Sequence, residues 1–72
     1  MKIEWNSAAK SQYNMLYSSL QKEVDGLLTT IETFPRSGRD CGSYRSIAFN
    51  NYELQYTESG NTITVLDICY KR

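Results

Sequence analysis

The sequence has no histidine, a single proline and only two cysteines among its 72 residues. Without histidine it lacks both the commonest general base and the commonest metal ligand. Cys41 and Cys69 lie far apart in the chain, so we expect two free thiols rather than a disulfide or a zinc site. These absences predict a protein that holds no metal and no cofactor.

Long apolar runs and an excess of one charge are also absent. The residues after Met1 do not form the apolar segment of a secretory signal, and no stretch is long enough for a membrane helix. The 8 basic residues balance 8 acidic ones, which argues against bulk affinity for nucleic acid. We therefore expect a cytoplasmic protein that does not contact membranes.

The length sets a further limit. Residues 1–72 are enough for one domain with a small core, and we expect a single domain. Chains of this size are often stabilised by assembly with a partner.

The first half of the chain carries the pattern of a strand followed by helix. Ile3 and Trp5 alternate with charged residues, which indicates a short strand with one apolar face. Asn6 and Ser7 can cap a helix that begins there.

A helical stripe occupies residues 9–31, where apolar residues recur every three or four positions. Ser18 and Gln21 have capping-box spacing in the middle of this stripe. We therefore predict a hairpin of two helices, over 7–16 and 20–33, rather than one long rod. Pro35 ends the second helix, and Gly26 within it is expected to mark close packing against the sheet.

The second half reads as three strands over 44–49, 52–57 and 62–70, joined by short polar turns. The middle strand puts Tyr52, Leu54 and Tyr56 on one face, where we expect packing rather than base stacking. The last strand is apolar on both faces, which is typical of a central strand. The predicted class is α+β: an N-terminal strand, a helix hairpin and a three-stranded antiparallel meander in one twisted sheet (β-α-α-β-β-β).

Every arginine lies in the second half of the chain. Arg36 and Arg39 fall in the irregular segment 35–43, Arg45 begins a strand, and Arg72 follows Lys71 after the last one. We predict that they gather at the rim of the sheet and form, with its exposed face, a surface for phosphate or an acidic partner.

Two simpler interpretations of these arginines stay open. The loop arginines can be solvated or paired with Asp40, and Arg45 can pair with Glu53 across the sheet.

Four motifs follow one another in the second half of the chain: Pro35-Arg36-Ser37-Gly38-Arg39, Tyr44-Arg45, Tyr52-x-Leu54-x-Tyr56 and Ile68-Cys69-Tyr70-Lys71-Arg72. Together with the order of the elements, they resemble the RelE/ParE superfamily, the toxins of type II toxin–antitoxin pairs. The resemblance implies growth inhibition, a role in plasmid stabilisation and a cognate antitoxin as partner. It leaves open whether the chain forms a homodimer or a toxin–antitoxin hetero-oligomer.

The resemblance implies two possible chemistries. RelE-like members cleave messenger RNA on the ribosome, and for that case Arg45 and Arg72 match catalytic positions. ParE-like members instead block DNA gyrase and are not enzymes. In either case Arg36, Arg39 and Lys71 are expected to contact the target or its phosphates.

One departure from the family pattern favours protein binding over RNA cleavage. Glu53 stands where many RNA-cutting members have an arginine, and its charge would repel phosphate. The chain also lacks a convincing general acid–base pair. A gyrase-binding toxin is therefore preferred, with a ribosome-dependent endoribonuclease and a non-toxic interaction module of the same fold as alternatives.

Overall fold

In the computed structural model, which describes residues 2–71, a helix hairpin packs on one face of a five-stranded sheet. The elements are β1 (Lys2–Trp5), α1 (Ser7–Met15), α2 (Ser18–Thr33), β2 (Arg39–Asp40), β3 (Arg45–Phe49), β4 (Tyr52–Ser59) and β5 (Thr62–Tyr70). The sheet order is β1-β5-β4-β3-β2, with β1 parallel to β5 and the other neighbours antiparallel. The predicted α+β class, helix hairpin and β3-β4-β5 meander are confirmed.

Strand β2 is an addition to the predicted elements. It falls in the segment expected to be irregular, and it pairs Arg39 with Ser46 and Asp40 with Arg45. Only two residues pair, which is too short a run for a periodic sequence signal.

The hairpin begins and turns close to the predicted positions. The Oδ1 atom of Asn6 accepts a hydrogen bond from the Ala8 amide at 2.8 Å and caps α1. Tyr17 is the extended N-cap of α2 and makes no side-chain cap, so the predicted capping box does not form. Instead, the Gln21 side chain donates to the Tyr13 carbonyl at 2.9 Å and ties the two helices together.

The core lies between the helices and one face of the sheet. Its buried apolar members are Ala9, Val24, Leu28, Ile31, Phe49, Leu54, Tyr56, Ile63, Val65 and Ile68. Each fully buried aliphatic side chain contributes about 1.5–3 kcal/mol relative to an exposed one. The opposite face of the sheet is mostly polar and is described below as the open face.

Strand β5 is central, as predicted, but the prediction that both its faces are apolar is wrong. Tyr56 pairs with Val65 while Leu54 pairs with Ile68, because a β-bulge shifts the register between them. Because the bulge adds one residue to β5, Ile68 lies on the same face of the sheet as Val65. The buried residues of β5 therefore share the helix-packed face.

The predicted turn at Asn50 is confirmed, whereas the predicted close packing at Gly26 is wrong. Asn50 adopts a positive φ of 50° in the turn between β3 and β4, which confirms the asparagine turn. Gly26 is exposed, and a Cβ placed on it would meet no atom within 4 Å, so it does not mark close packing.

Neither described helix is long and apolar enough to cross a membrane.

Candidate functional site

A buried tyrosine holds the loop that follows α2. The Tyr56 hydroxyl donates to the Pro35 carbonyl at 2.7 Å and accepts from the Gly38 amide at 3.0 Å. A Cβ on Gly38 would lie 2.7 Å from that hydroxyl oxygen, so only glycine lets the loop approach so closely. We call these paired contacts the Tyr56 latch; together with the complete burial of Tyr56, they confirm that it packs in the core.

Arg45 adds a third contact to this loop. Its Nη1 atom donates to the Gly38 carbonyl at 3.0 Å, and the side chain is half-buried. Glu53 lies opposite Ala48 in the β3–β4 register and forms its ion pair with Lys71. The suggested pairing of Arg45 with Glu53 is therefore wrong.

Arg36 and Arg45 line one polar hollow of about 220 Å³. Its other walls are Asp40, Gly42, Ser43, Tyr44, Thr57 and Glu58. Asp40 accepts a hydrogen bond from the Gly42 amide at 2.9 Å. Among residues 2–71 the ion pairs within 4.0 Å are Lys2–Glu4 and Lys71–Glu53, so the suggested pairing of loop arginines with Asp40 is not found.

Arg39 and Lys71 lie elsewhere, on the open face. With Ser46, Ala48 and Glu53 they line a second hollow of about 140 Å³. The Lys71 Nζ atom is 3.4 Å from Glu53 Oε2, so a carboxylate already partners one of the two cations.

Glu53 is held in its charged form by hydrogen bonds. Gln55 lowers its pKa most, by donating to Oε1 at 2.8 Å, and Ser46 and Lys71 lower the pKa further. The centre of the open face therefore carries a stable negative charge at neutral pH.

Cys69 is also half-buried on the open face, opposite Glu53 in the register. Its Sγ atom donates to Asp67 Oδ2 at 3.1 Å. Burial, and then the Asp67 carboxylate, raise the pKa of this thiol to about 11, so it stays protonated at neutral pH. Both cysteines are free thiols, as expected. Residues 2–71 contain no cluster of three or more histidine, cysteine or acidic side chains that would hold a metal.

An apolar hollow of about 480 Å³ adjoins the polar hollow and was not foreseen from the sequence. It is lined by Thr33, Phe34, Pro35, Arg36, Ser37 and Glu58. Phe34 follows the last residue of α2 and is 65% exposed. An aromatic residue directly before a helix-ending proline can be recognised in the sequence. The sequence does not indicate whether its side chain is buried in the core or exposed to solvent.

The predicted cations that the structure describes therefore line two separate hollows. Arg36 and Arg45 share the polar hollow, whereas Arg39 and Lys71 share the hollow on the open face. Arg72 lies outside the described residues. The functional roles of all five remain predictions.

The sequence matches no protein-family model and no curated protein. Solved structures do match it closely in fold. A chain of the intact E. coli RelBE toxin–antitoxin complex superposes with a TM-score of 0.85 over 99% of this chain and 96% of that one, at 15% identity. The isolated E. coli RelE toxin gives a TM-score of 0.86 over 99% and 84% of the two chains, also at 15% identity.

A chain of the chromosomal ParDE system from P. aeruginosa gives a TM-score of 0.68 at 14% identity, over 100% of this chain and 97% of that one. The chain therefore has the fold of the RelE and ParE toxins. The resemblance seen in the sequence motifs is confirmed at the level of the fold.

Proposed function

We propose that the chain is the toxin of a type II toxin–antitoxin module that acts by binding a protein, with DNA gyrase as the candidate target. A cognate antitoxin would hold it inactive. The fold shared with RelE over nearly the whole chain supports the toxin assignment. The small core supports the expectation of a protein partner.

The observation that favours binding over RNA cleavage is the state of the open face, where Lys71 is paired with Glu53. Cleavage of RNA needs free cations around the reacting phosphate and a proton donor and acceptor nearby. A chain without histidine, whose open face carries a charged Glu53, supplies these poorly.

Induced expression in bacteria without the antitoxin tests the toxin assignment. We expect growth to arrest, and we expect the purified protein to inhibit supercoiling by gyrase. Growth at the uninduced rate would contradict the toxin assignment and leave the non-toxic interaction module. Arrest without inhibition of gyrase would point to another target.

A ribosome-dependent endoribonuclease is the second candidate. It is favoured by one observation, that Arg36 and Arg45 line the same hollow and could together stabilise a pentavalent phosphate. Primer extension on messenger RNA from arrested cells separates the two candidates. Cuts within codons that disappear in Arg45→Ala and Arg72→Ala, but persist in Lys22→Ala, would establish cleavage; intact transcripts would support protein binding.

A further inference from the structure

The apolar hollow and the polar hollow form one continuous surface, because Arg36 and Glu58 stand in the walls of both. We call it the Phe34–Arg36 surface; it consists of Phe34, Pro35, Arg36, Tyr44, Arg45 and Glu58. One part of it offers an aromatic ring and a proline to solvent, and the other offers two guanidinium groups.

The apolar part is held in place by the backbone. The Phe34 amide donates to the Thr30 carbonyl at 2.7 Å, and the Ser37 amide donates to the Phe34 carbonyl at 3.0 Å. The ring nevertheless stays 65% exposed and outside the core. Aromatic residues and arginine are the types enriched at the centre of protein interfaces.

The polar part has cationic groups available to a ligand. No carboxylate of residues 2–71 lies within 4.0 Å of the Arg36 or Arg45 guanidinium. The Tyr56 latch and the Arg45–Gly38 contact fix the loop that carries Arg36. The backbone that carries Arg36 is therefore ordered before a ligand carboxylate binds, which lowers the cost of ordering this loop.

The composition of this surface distinguishes a protein ligand from a nucleic acid. In the polar hollow Asp40 and Glu58 balance the charges of the two arginines, so the hollow lacks the basic excess that a run of phosphates needs. The larger hollow is apolar, and a phosphate backbone would leave it unfilled. A polypeptide with an apolar side chain next to a single carboxylate matches both parts.

We infer that the Phe34–Arg36 surface docks a segment of a partner protein in which an apolar side chain fills the hollow beside Phe34 and an adjacent carboxylate binds Arg36 and Arg45. This inference rests on the proposed protein-binding mode and names the chemistry of the partner.

The test is an NMR titration of the ¹⁵N-labelled full chain with a short synthetic peptide of alternating leucine and aspartate. A peptide with lysine in place of aspartate and a single-stranded oligouridine serve as comparison probes. We expect the acidic peptide to shift the backbone amide signals of residues 33–34, 36–37, 44–45 and 57–58, since Pro35 has no amide hydrogen. Arg36→Ala and Phe34→Ala should each weaken its binding about tenfold. The matched controls Lys22→Ala and Tyr17→Ala alter an exposed cation and an exposed aromatic residue elsewhere and should leave binding unchanged.

Three outcomes would overturn the inference. They are equal binding of the lysine peptide, absence of shifts at millimolar acidic peptide, and tighter binding of oligouridine to the same residues. The titration needs no toxicity, so its failure is distinguishable from failure of the growth-arrest experiment. Arrest with no peptide binding would reject this surface and leave the proposed toxin intact.

Discussion

At the scale of single residues, the Tyr56 latch links the sequence motif to the loop geometry. Gly38 belongs to the motif Pro35-Arg36-Ser37-Gly38-Arg39, and Tyr56 belongs to the motif Tyr52-x-Leu54-x-Tyr56. Their contact explains physically why a glycine and a tyrosine stand at these positions in a chain of this fold. The motif residues thus include positions that shape the loop as well as charges that face a target.

Substitution of two glycines by alanine should have opposite effects on stability. Gly38→Ala places a methyl group 2.7 Å from the buried Tyr56 hydroxyl and should lower the free energy of unfolding by about 1–3 kcal/mol. Gly26→Ala meets no neighbour within 4 Å in the middle of α2 and should raise it by about 0.5–1 kcal/mol. Urea unfolding of both variants measures the difference. Equal changes of the same sign in the unfolding free energies of the two variants would contradict the close contact between Gly38 and Tyr56.

The Cys69 thiol should react slowly with alkylating agents. With a pKa of about 11, its thiolate fraction at pH 8 is roughly 100-fold smaller than that of an ordinary cysteine. Iodoacetamide labelling of a Cys41→Ser variant, followed by mass spectrometry, measures the rate against the same chain in denaturant. Asp67→Asn removes one cause of the raised pKa and should speed the labelling; a folded rate equal to the denatured one would refute the assignment.

At the scale of elements, strand β4 joins the two faces of the sheet. Its helix-side residues Leu54 and Tyr56 are fully buried, while Glu53 and Gln55 lie between them on the open face. The same strand therefore supports the core, holds the Tyr56 latch and places the negative charge of the open face.

The Glu53 carboxylate should make stability depend on pH. Its folded pKa is lowered by Gln55, Ser46 and Lys71, so its contribution is full above the unfolded pKa of roughly 4.3. That contribution is lost as the pH falls through the lower folded pKa. The difference in unfolding free energy between the wild type and Glu53→Gln should accordingly shrink between about pH 5 and pH 3.

Urea titrations at several pH values measure this difference. Gln55→Ala removes the largest cause of the lowered pKa and should weaken the dependence. An NMR titration in which the Glu53 carboxyl ionises at or above its ordinary pKa would disprove the expectation.

At the scale of the whole molecule, the folded chain is compact. Its radius of gyration is 11.1 Å, close to the value of about 11 Å expected for a folded chain of this length. The first strand is paired with the last, Lys2–Trp5 against residues 62–65, so residues from both ends of the sequence lie side by side in the sheet.

This pairing predicts a single cooperative unfolding transition. Trp5 is the only tryptophan, and its ring packs 5.1 Å from Tyr13 beside the Lys10 ammonium group. Unfolding in urea should give one midpoint whether followed by tryptophan fluorescence or by far-ultraviolet circular dichroism. An earlier transition in fluorescence would mean that β1 and α1 separate before the meander, against the expectation of one domain.

Much of the fold could be predicted because its signals are local. The apolar stripe of α2, the Asn50 turn and the alternation in β4 each arise within a few residues and were assigned correctly. The bulge in β5 was missed because its effect depends on the register with β4, which a single strand sequence does not specify. Strand β2 was missed because its pairing with β3 is too short to leave a periodic pattern.

The order and type of the main elements follow from local patterns, since hydrophobic periodicity and turn residues act over neighbouring positions. The presence of the cations is likewise visible in the residues alone. The packed fold, in contrast, establishes which cations share a hollow, that Glu53 pairs with Lys71, and that Phe34 stays outside the core. Those choices depend on contacts between residues distant in the chain, which arise when strands and helices pack and fix one register among many.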